Sequence, residues 1–142
     1  MFGENGQKHC ESAPITCELL DVIPLLSDNT MGAACFSMML SGTYVFPHSG
    51  PSNTRLRVHL GLDIPEQPNE KSRDWLTWLR VGDRYMTWKN GEMFVWDDSY
   101  DHEVWHYHPL NKTRLVLIFD IWHPELTEFQ IASTMLASQY II

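Results

Sequence analysis

The sequence predicts a mainly β domain whose short strands form a sandwich or a rolled double sheet. Three observations carry that expectation. Short apolar or alternating segments recur between residues 35 and 122, and they are rich in Val, Ile, Phe, Tyr and Trp. Clusters of Gly, Asn, Asp and Ser separate them like turns. Aromatic residues make up 12% of the chain, with six Trp, as wide half-buried sheet faces favour.

The 142 residues support a single core and are too few for two ordinary domains. A hydrophobic content of 44% with 20% charged residues is a globular composition. Ten Lys and Arg stand against 18 Asp and Glu, a formal charge of −8. That balance excludes the basic stripe of a nucleic-acid binder and opposes a basic membrane-surface helix. No run approaches the ~18–20 apolar residues needed to cross a bilayer, and MFGENGQKHC lacks the apolar run of a secretion signal. The chain itself is therefore expected to be soluble and to make no membrane contact.

Along the chain, residues 1–30 carry Gly3, Gly6, Pro14, Pro24 and an SDN cluster, and are expected to be irregular cover with one helical turn or short strand at residues 19–26. A core at 31–127 follows. CFSMML is a short strand ended by Ser41 and Gly42, then come TYVF and RLRVHLGLDI. Period two in the last puts Arg55, Arg57 and His59 on one face and Leu56, Val58 and Leu60 on the other. The polar face is either solvent or a polar pocket. PEQPNEKSRD, residues 65–74, is the expected insertion loop. WLTWLRV, RYMTW, EMFVW and HEVWHY read as strands, with turns at Gly82–Asp83, Asn90–Gly91 and DDS. RLVLIFDIW is a strongly apolar strand stopped at Pro124, and residues 128–142 have helical spacing.

Histidines at 9, 48, 59, 102, 106, 108 and 123 exceed what such a core needs. His48 sits in PHSGP, where flanking prolines and Gly50 restrict the backbone. His102 sits in DDSYDHEVW among carboxylates suited to hold its second ring nitrogen. His106, His108 and His123 are read as loop or rim residues without a role. An oxygen-reactive iron site ordinarily adds a carboxylate two residues after its first histidine, and Gly50 holds that place. Arg114, opening an apolar strand, is either an exposed strand-end residue or a buried guanidinium that calls for a dicarboxylate. Arg55 and Arg57 either grip an acidic substrate or lie on an exposed sheet edge. Cys10 and Cys17 flank a short loop, which permits a disulfide or reduced structural thiols alongside Cys35.

Four strings in order, PHSGPSNTRLRVHLGL, W-KNGE, DDSYDHEVW and RLVLIFDIWHPEL, resemble the catalytic domain of the aspartyl/asparaginyl β-hydroxylases from about residue 10 to about residue 127. The resemblance implies a double-stranded β-helix, a jelly-roll or cupin-like barrel, with a short C-terminal helix. It implies Fe(II) held by His48 and His102, in a family that lacks the usual carboxylate ligand, with Asp98 acting near the metal through water and neighbouring contacts. It gives 2-oxoglutarate to Arg114 and Ser37 at the far carboxylate and to His59 at the carboxylate beside the keto group, with Met39 lining the pocket. Arg55 and Arg57 would grip the substrate, and Cys10 and Cys17 would pair. The implied reaction uses O2 and couples 2-oxoglutarate decarboxylation to β-hydroxylation of Asp or Asn in EGF-like domains.

The implied setting is the lumen of the endoplasmic reticulum within a membrane-anchored parent, or the cytoplasm for a bacterial relative. Compared with that pattern the chain begins late, the loop from 66 to 78 is long, and HYHPLNK is an extra stretch before Arg114. Two other classes stay open. One is a non-catalytic barrel that binds acidic peptides, which the late start favours. The other is a zinc-type cupin, which would want a third protein ligand and leaves Arg114 without a purpose.

Overall fold

The computed structural model of the chain describes residues 10–23, 26, 32–66 and 76–138. They form helix α1 (Pro14–Asp21), strands β1 (Ala34–Met39), β2 (Thr43–His48), β3 (Arg55–Asp63), β4 (Thr77–Val81), β5 (Arg84–Met86), β6 (Met93–Trp96), β7 (His102–His106) and β8 (Arg114–Trp122), and helix α2 (Glu128–Ser138). Two four-stranded antiparallel sheets have the orders β1-β8-β3-β6 and β2-β7-β4-β5. Consecutive strands alternate between the sheets at the start and each pairs within its own sheet, which is the eight-stranded jelly roll. The double-stranded β-helix expectation and the short C-terminal helix both hold.

Period two sorts the side chains. On β8 and β3 the outward residues Val58, Leu117 and Phe119 pack with Leu20 of α1 and Leu26. The barrel interior holds Leu79, Trp88, Trp96 and Val116 with Ile64. β3 lies between β8 and β6 and is no sheet edge, so its polar face, Arg55, Arg57 and His59, forms part of a lined pocket. β4 turns into β5 through Gly82 and Asp83, and Gly82 has φ +54°, a left-handed conformation that glycine adopts without a Cβ penalty.

Several expectations need correction. Residues 14–18, read as irregular cover, are helical and continue into 19–21, read as the start of a helical turn or short strand: Pro14 opens α1, where its missing N–H costs nothing, and Cys10 and Cys17 form a disulfide there. The helix leaves Ile15 and Leu19 exposed on its outer side. In RYMTW only Arg84–Met86 is strand, and Trp88 beyond it is buried in the interior. α2 begins at a capping box in which Thr127 Oγ1 accepts from Gln130 N and Gln130 Oε1 accepts from Thr127 N. His9 and the insertion loop from residue 67 to 75 lie outside the described residues.

Candidate active site

A break in strand register builds the centre of the site. β2 and β7 pair as Thr43 with His106, Tyr44 with Trp105 and Val45 with Val104, and then as His48 with His102. One extra residue on β2, in Phe46–Pro47, shifts the register. Regular pairing would set Pro47 against His102; the bulge sets His48 there. The two imidazole centroids lie 4.1 Å apart.

Each ring is held in the same way. Nδ1–H of His48 donates to the Phe46 carbonyl at 2.8 Å, and Nδ1–H of His102 donates to the Tyr100 carbonyl at 2.8 Å. With Nδ1 protonated, the free lone pair of each neutral ring is on Nε2, the tautomer a metal ion requires. The expected carboxylate partner of His102 is thus a backbone carbonyl. Burial lowers the pKa of His102, opposed by its bond to Tyr100, which favours the neutral ring.

Gly50 explains the missing carboxylate. A Cβ at Gly50 would lie 2.6 Å from Cγ of Asp98, so the space a side chain would fill here already holds the Asp98 carboxylate. Gly50 N also donates to the Asp98 carbonyl. Asp98 is buried, its Oδ2 lies 3.1 Å from both Arg55 Nη2 and Arg57 Nη1, and its Oδ1 has no hydrogen-bond partner among the described residues. Asp120, wholly buried on β8, completes the cluster: Arg57 Nε donates to Oδ1 at 2.8 Å and Arg57 Nη2 to Oδ2 at 3.1 Å, while Arg55 Nη1 lies 3.1 Å from Oδ2. Burial opposes the charge on Arg57, and the bonds to Asp120 outweigh it and raise its pKa. Nothing in the sequence reading singled out Asp120. A lone acid in the apolar run RLVLIFDIW, at even spacing from Arg114, was the available signal.

Deeper in the barrel lies a cationic pocket. Register orders it: Arg57 faces Asp120, His59 faces Ile118, and Arg114 faces Met39 at the far end of β8. Arg114 is 2% exposed, so the exposed alternative fails. Its Nη2 donates to Ser37 Oγ at 2.9 Å and its guanidinium stands 4.4 Å from the Trp88 ring centroid. Among the described residues no carboxylate pairs with it and its Nε is without a partner, while burial pushes its pKa down to about 10. Such a cation calls for an anion.

His59 is stacked on Trp88 and packed by Phe94 and Trp96. Trp88 Nε1–H donates to its Nδ1 at 3.1 Å, so the neutral ring carries its proton on Nε2, which is buried and unpartnered. Burial first, then Arg114, Arg57 and His102, push the His59 pKa down to about 3 and keep it neutral. Trp96 touches both layers, 4.6 Å from His102 and 5.5 Å from His59.

The fold therefore brings together every expected site residue: His48, His102, Asp98, Arg55 and Arg57 at one rim, and His59, Ser37, Met39 and Arg114 behind them. The arginines differ from the expectation in being already held by aspartates. His106 was placed in a loop or rim; it ends β7 and is wholly buried, its Nδ1 2.6 Å from Thr77 Oγ1 and its Nε2 2.9 Å from the Lys112 carbonyl. His108 is buried too and accepts from Leu110 N. No three His, Cys, Asp or Glu side chains gather as a metal cage among the described residues.

The family model for aspartyl/asparaginyl beta-hydroxylase matches residues 1–124. The chain belongs to the aspartyl/asparaginyl beta-hydroxylase family. It is 40% identical to aspartyl/asparaginyl beta-hydroxylase of Homo sapiens over 128 residues, 90% of this chain and 16% of that protein. It is 35% identical to ornithine lipid ester-linked acyl 2-hydroxylase of Rhizobium tropici over 123 residues, 87% of this chain and 39% of that protein. Aspartate beta-hydroxylase domain-containing protein 2 of Homo sapiens is 32% identical over 84% of this chain and 30% of its own length. The chain thus spans well under half of each of these relatives. Among solved structures, a cupin protein from Bacteroides fragilis aligns with a TM-score of 0.48 at 9% identity, over 68% of this chain and 70% of that one.

Proposed function

We propose that this member of the family is the barrel of an Fe(II)- and 2-oxoglutarate-dependent dioxygenase that hydroxylates the β-carbon of Asp or Asn in a peptide, with EGF-like domains as the substrate class. One observation carries the reading: two histidines with free Nε2 lone pairs sit at the rim of a pocket whose far end holds an unpaired, buried guanidinium. That combination suits a metal and a dicarboxylate together. His48 and His102 would hold the metal through Nε2. Bound there, iron and 2-oxoglutarate supply O2 activation and the hydroxylating power, with succinate and CO2 as the other products.

The protein's own share is positioning and charge. Arg114 and Ser37 bind the distal carboxylate of 2-oxoglutarate, and the Arg114 charge is offset only when that anion arrives. His59 Nε2–H donates to the carboxylate beside the keto group, and Trp88 keeps the proton on that atom by occupying Nδ1. Asp98 Oδ1 accepts from water beside the histidine pair. Asp98 and Asp120 fix the planes of Arg55 and Arg57, and the guanidiniums held in this way orient the substrate's carboxyl or amide.

The Cys10–Cys17 disulfide supports an oxidising compartment, the lumen of the endoplasmic reticulum within a membrane-anchored parent. No helix among the described residues is long and apolar enough to cross a membrane, and the anchor would belong to the rest of that parent. The test is mass spectrometry of EGF-like peptides incubated with the protein, Fe(II), 2-oxoglutarate and O2. A gain of one oxygen on Asp or Asn, with stoichiometric succinate, is expected. Oxygen gain only on a hydroxylipid or acyl chain, the class named for the Rhizobium tropici relative, would replace the peptide by a lipid, and succinate formation without dependence on Fe(II) would end the reading.

A further inference from the structure

A second cleft opens on the rim that carries the histidine pair. It measures about 610 Å³ and lies between the loops that follow β2, β6 and β8 and the first turns of α2. Thr54, Asp97, His123, Glu125, Leu126 and Phe129 are among its walls. Its walls neighbour residues of the site along the chain: Thr54 precedes Arg55, Asp97 precedes Asp98, and His123 follows Trp122, which pairs with Arg55. His123 N donates to the Thr54 carbonyl at 2.9 Å and ties the two loops together.

The lining holds two carboxylates, Asp97 and Glu125, and neither Lys nor Arg. Asp97 Oδ1 accepts from Ser99 N at 2.9 Å, which holds that carboxylate in place, and several other polar groups are engaged locally. The hydroxyls of Ser133 and Thr134 donate to carbonyls of their own helix, and His123 Nδ1 accepts from Glu125 N. The same cleft is lined by Phe129 of α2, 80% exposed, and by Leu126. Apolar side chains and two carboxylates in one cleft suit a long aliphatic stem that ends in a cation: the stem would lie along Leu126 and Phe129, and the cation would meet the acids.

We infer that this cleft is a subsite for a lysine or arginine flanking the hydroxylated residue. The inference rests on the peptide-hydroxylase reading for the placement of the target at His48 and His102. Its test uses peptides in which one Lys, or Gln in its place, is walked across the positions on either side of the target Asp. Hydroxylation KM and, separately, the Kd of labelled peptides by anisotropy are measured for the wild type and for Asp97→Asn/Glu125→Gln, at low and high salt. At one or two positions the wild type favours Lys by about three- to tenfold in both KM and Kd with kcat unchanged, and the preference vanishes in the variant and at high salt. Equal Kd for Lys and Gln peptides at every position, no peptide binding at all, or a Lys preference that survives in the variant, overturns the inference. A Lys preference in Kd that the variant abolishes, without any hydroxylation, upholds the subsite and sinks the catalytic reading alone.

Discussion

Replacing Arg114 by methionine separates stability from cosubstrate binding. A guanidinium held at about 10 instead of 12.5 carries roughly 3 kcal/mol of unfavourable burial. Its bond to Ser37 returns about 1 kcal/mol and its contact with Trp88 about 2 kcal/mol. Removing the charge while keeping the volume should therefore leave the ligand-free protein within about 1 kcal/mol of its original stability. The ligand response should change far more. The wild type at 2-oxoglutarate a hundredfold above its Kd gains about 2.7 kcal/mol. Loss of a charge-assisted pair worth about 3 kcal/mol weakens binding over a hundredfold and reduces that gain to less than about 0.5 kcal/mol. Urea unfolding of both proteins under argon, with and without Fe(II) and 2-oxoglutarate, reads both quantities. A variant that loses several kcal/mol without ligand yet keeps the full ligand gain would refute the reasoning, because Arg114 would then be a structural residue.

Two further outcomes follow from the same geometry. His59 has a folded pKa near 3, below the 6.5 of the free ring, so its contribution is whole above pH 6.5 and is lost as pH falls towards 3. Between pH 6.5 and 5 that amounts to about 2 kcal/mol, and urea midpoints of His59→Gln should fall correspondingly less than those of the wild type over the same range. Gly50→Ala drives a Cβ to 2.6 Å from Asp98 Cγ and should cost about 1–3 kcal/mol by thermal denaturation.

Much of the barrel was legible because its signals are local. Alternation in RLRVHLGLDI placed Arg55, Arg57 and His59 on one face, and the apolar run of β8 marked a strand buried on both sides. Whether the polar face met solvent or a pocket was not legible, since that depends on which strands flank β3 and on what covers its other face. α1 was missed because Pro14 reads as a breaker when it is in fact the first helical residue. His106 was misplaced because the end of β7 is set by its pairing with Thr43 and Thr77, which are 63 and 29 residues away. The bulge that sets His48 against His102 leaves only Pro47 as a trace in the sequence. Asp120 escaped because its importance lies in two arginines reached across β3, and Asp98 became intelligible only when its carboxylate was found in the space beside Gly50.

The most direct test of the central claim is an anaerobic titration of the purified chain with Fe(II) and then 2-oxoglutarate, followed in the visible region for the weak charge-transfer band of a chelated complex. The account predicts a band that needs both components, is absent in His48→Ala and His102→Ala, and in Arg114→Met requires far more 2-oxoglutarate. Iron binding that is indifferent to 2-oxoglutarate, or a band that survives the loss of either histidine, would contradict it.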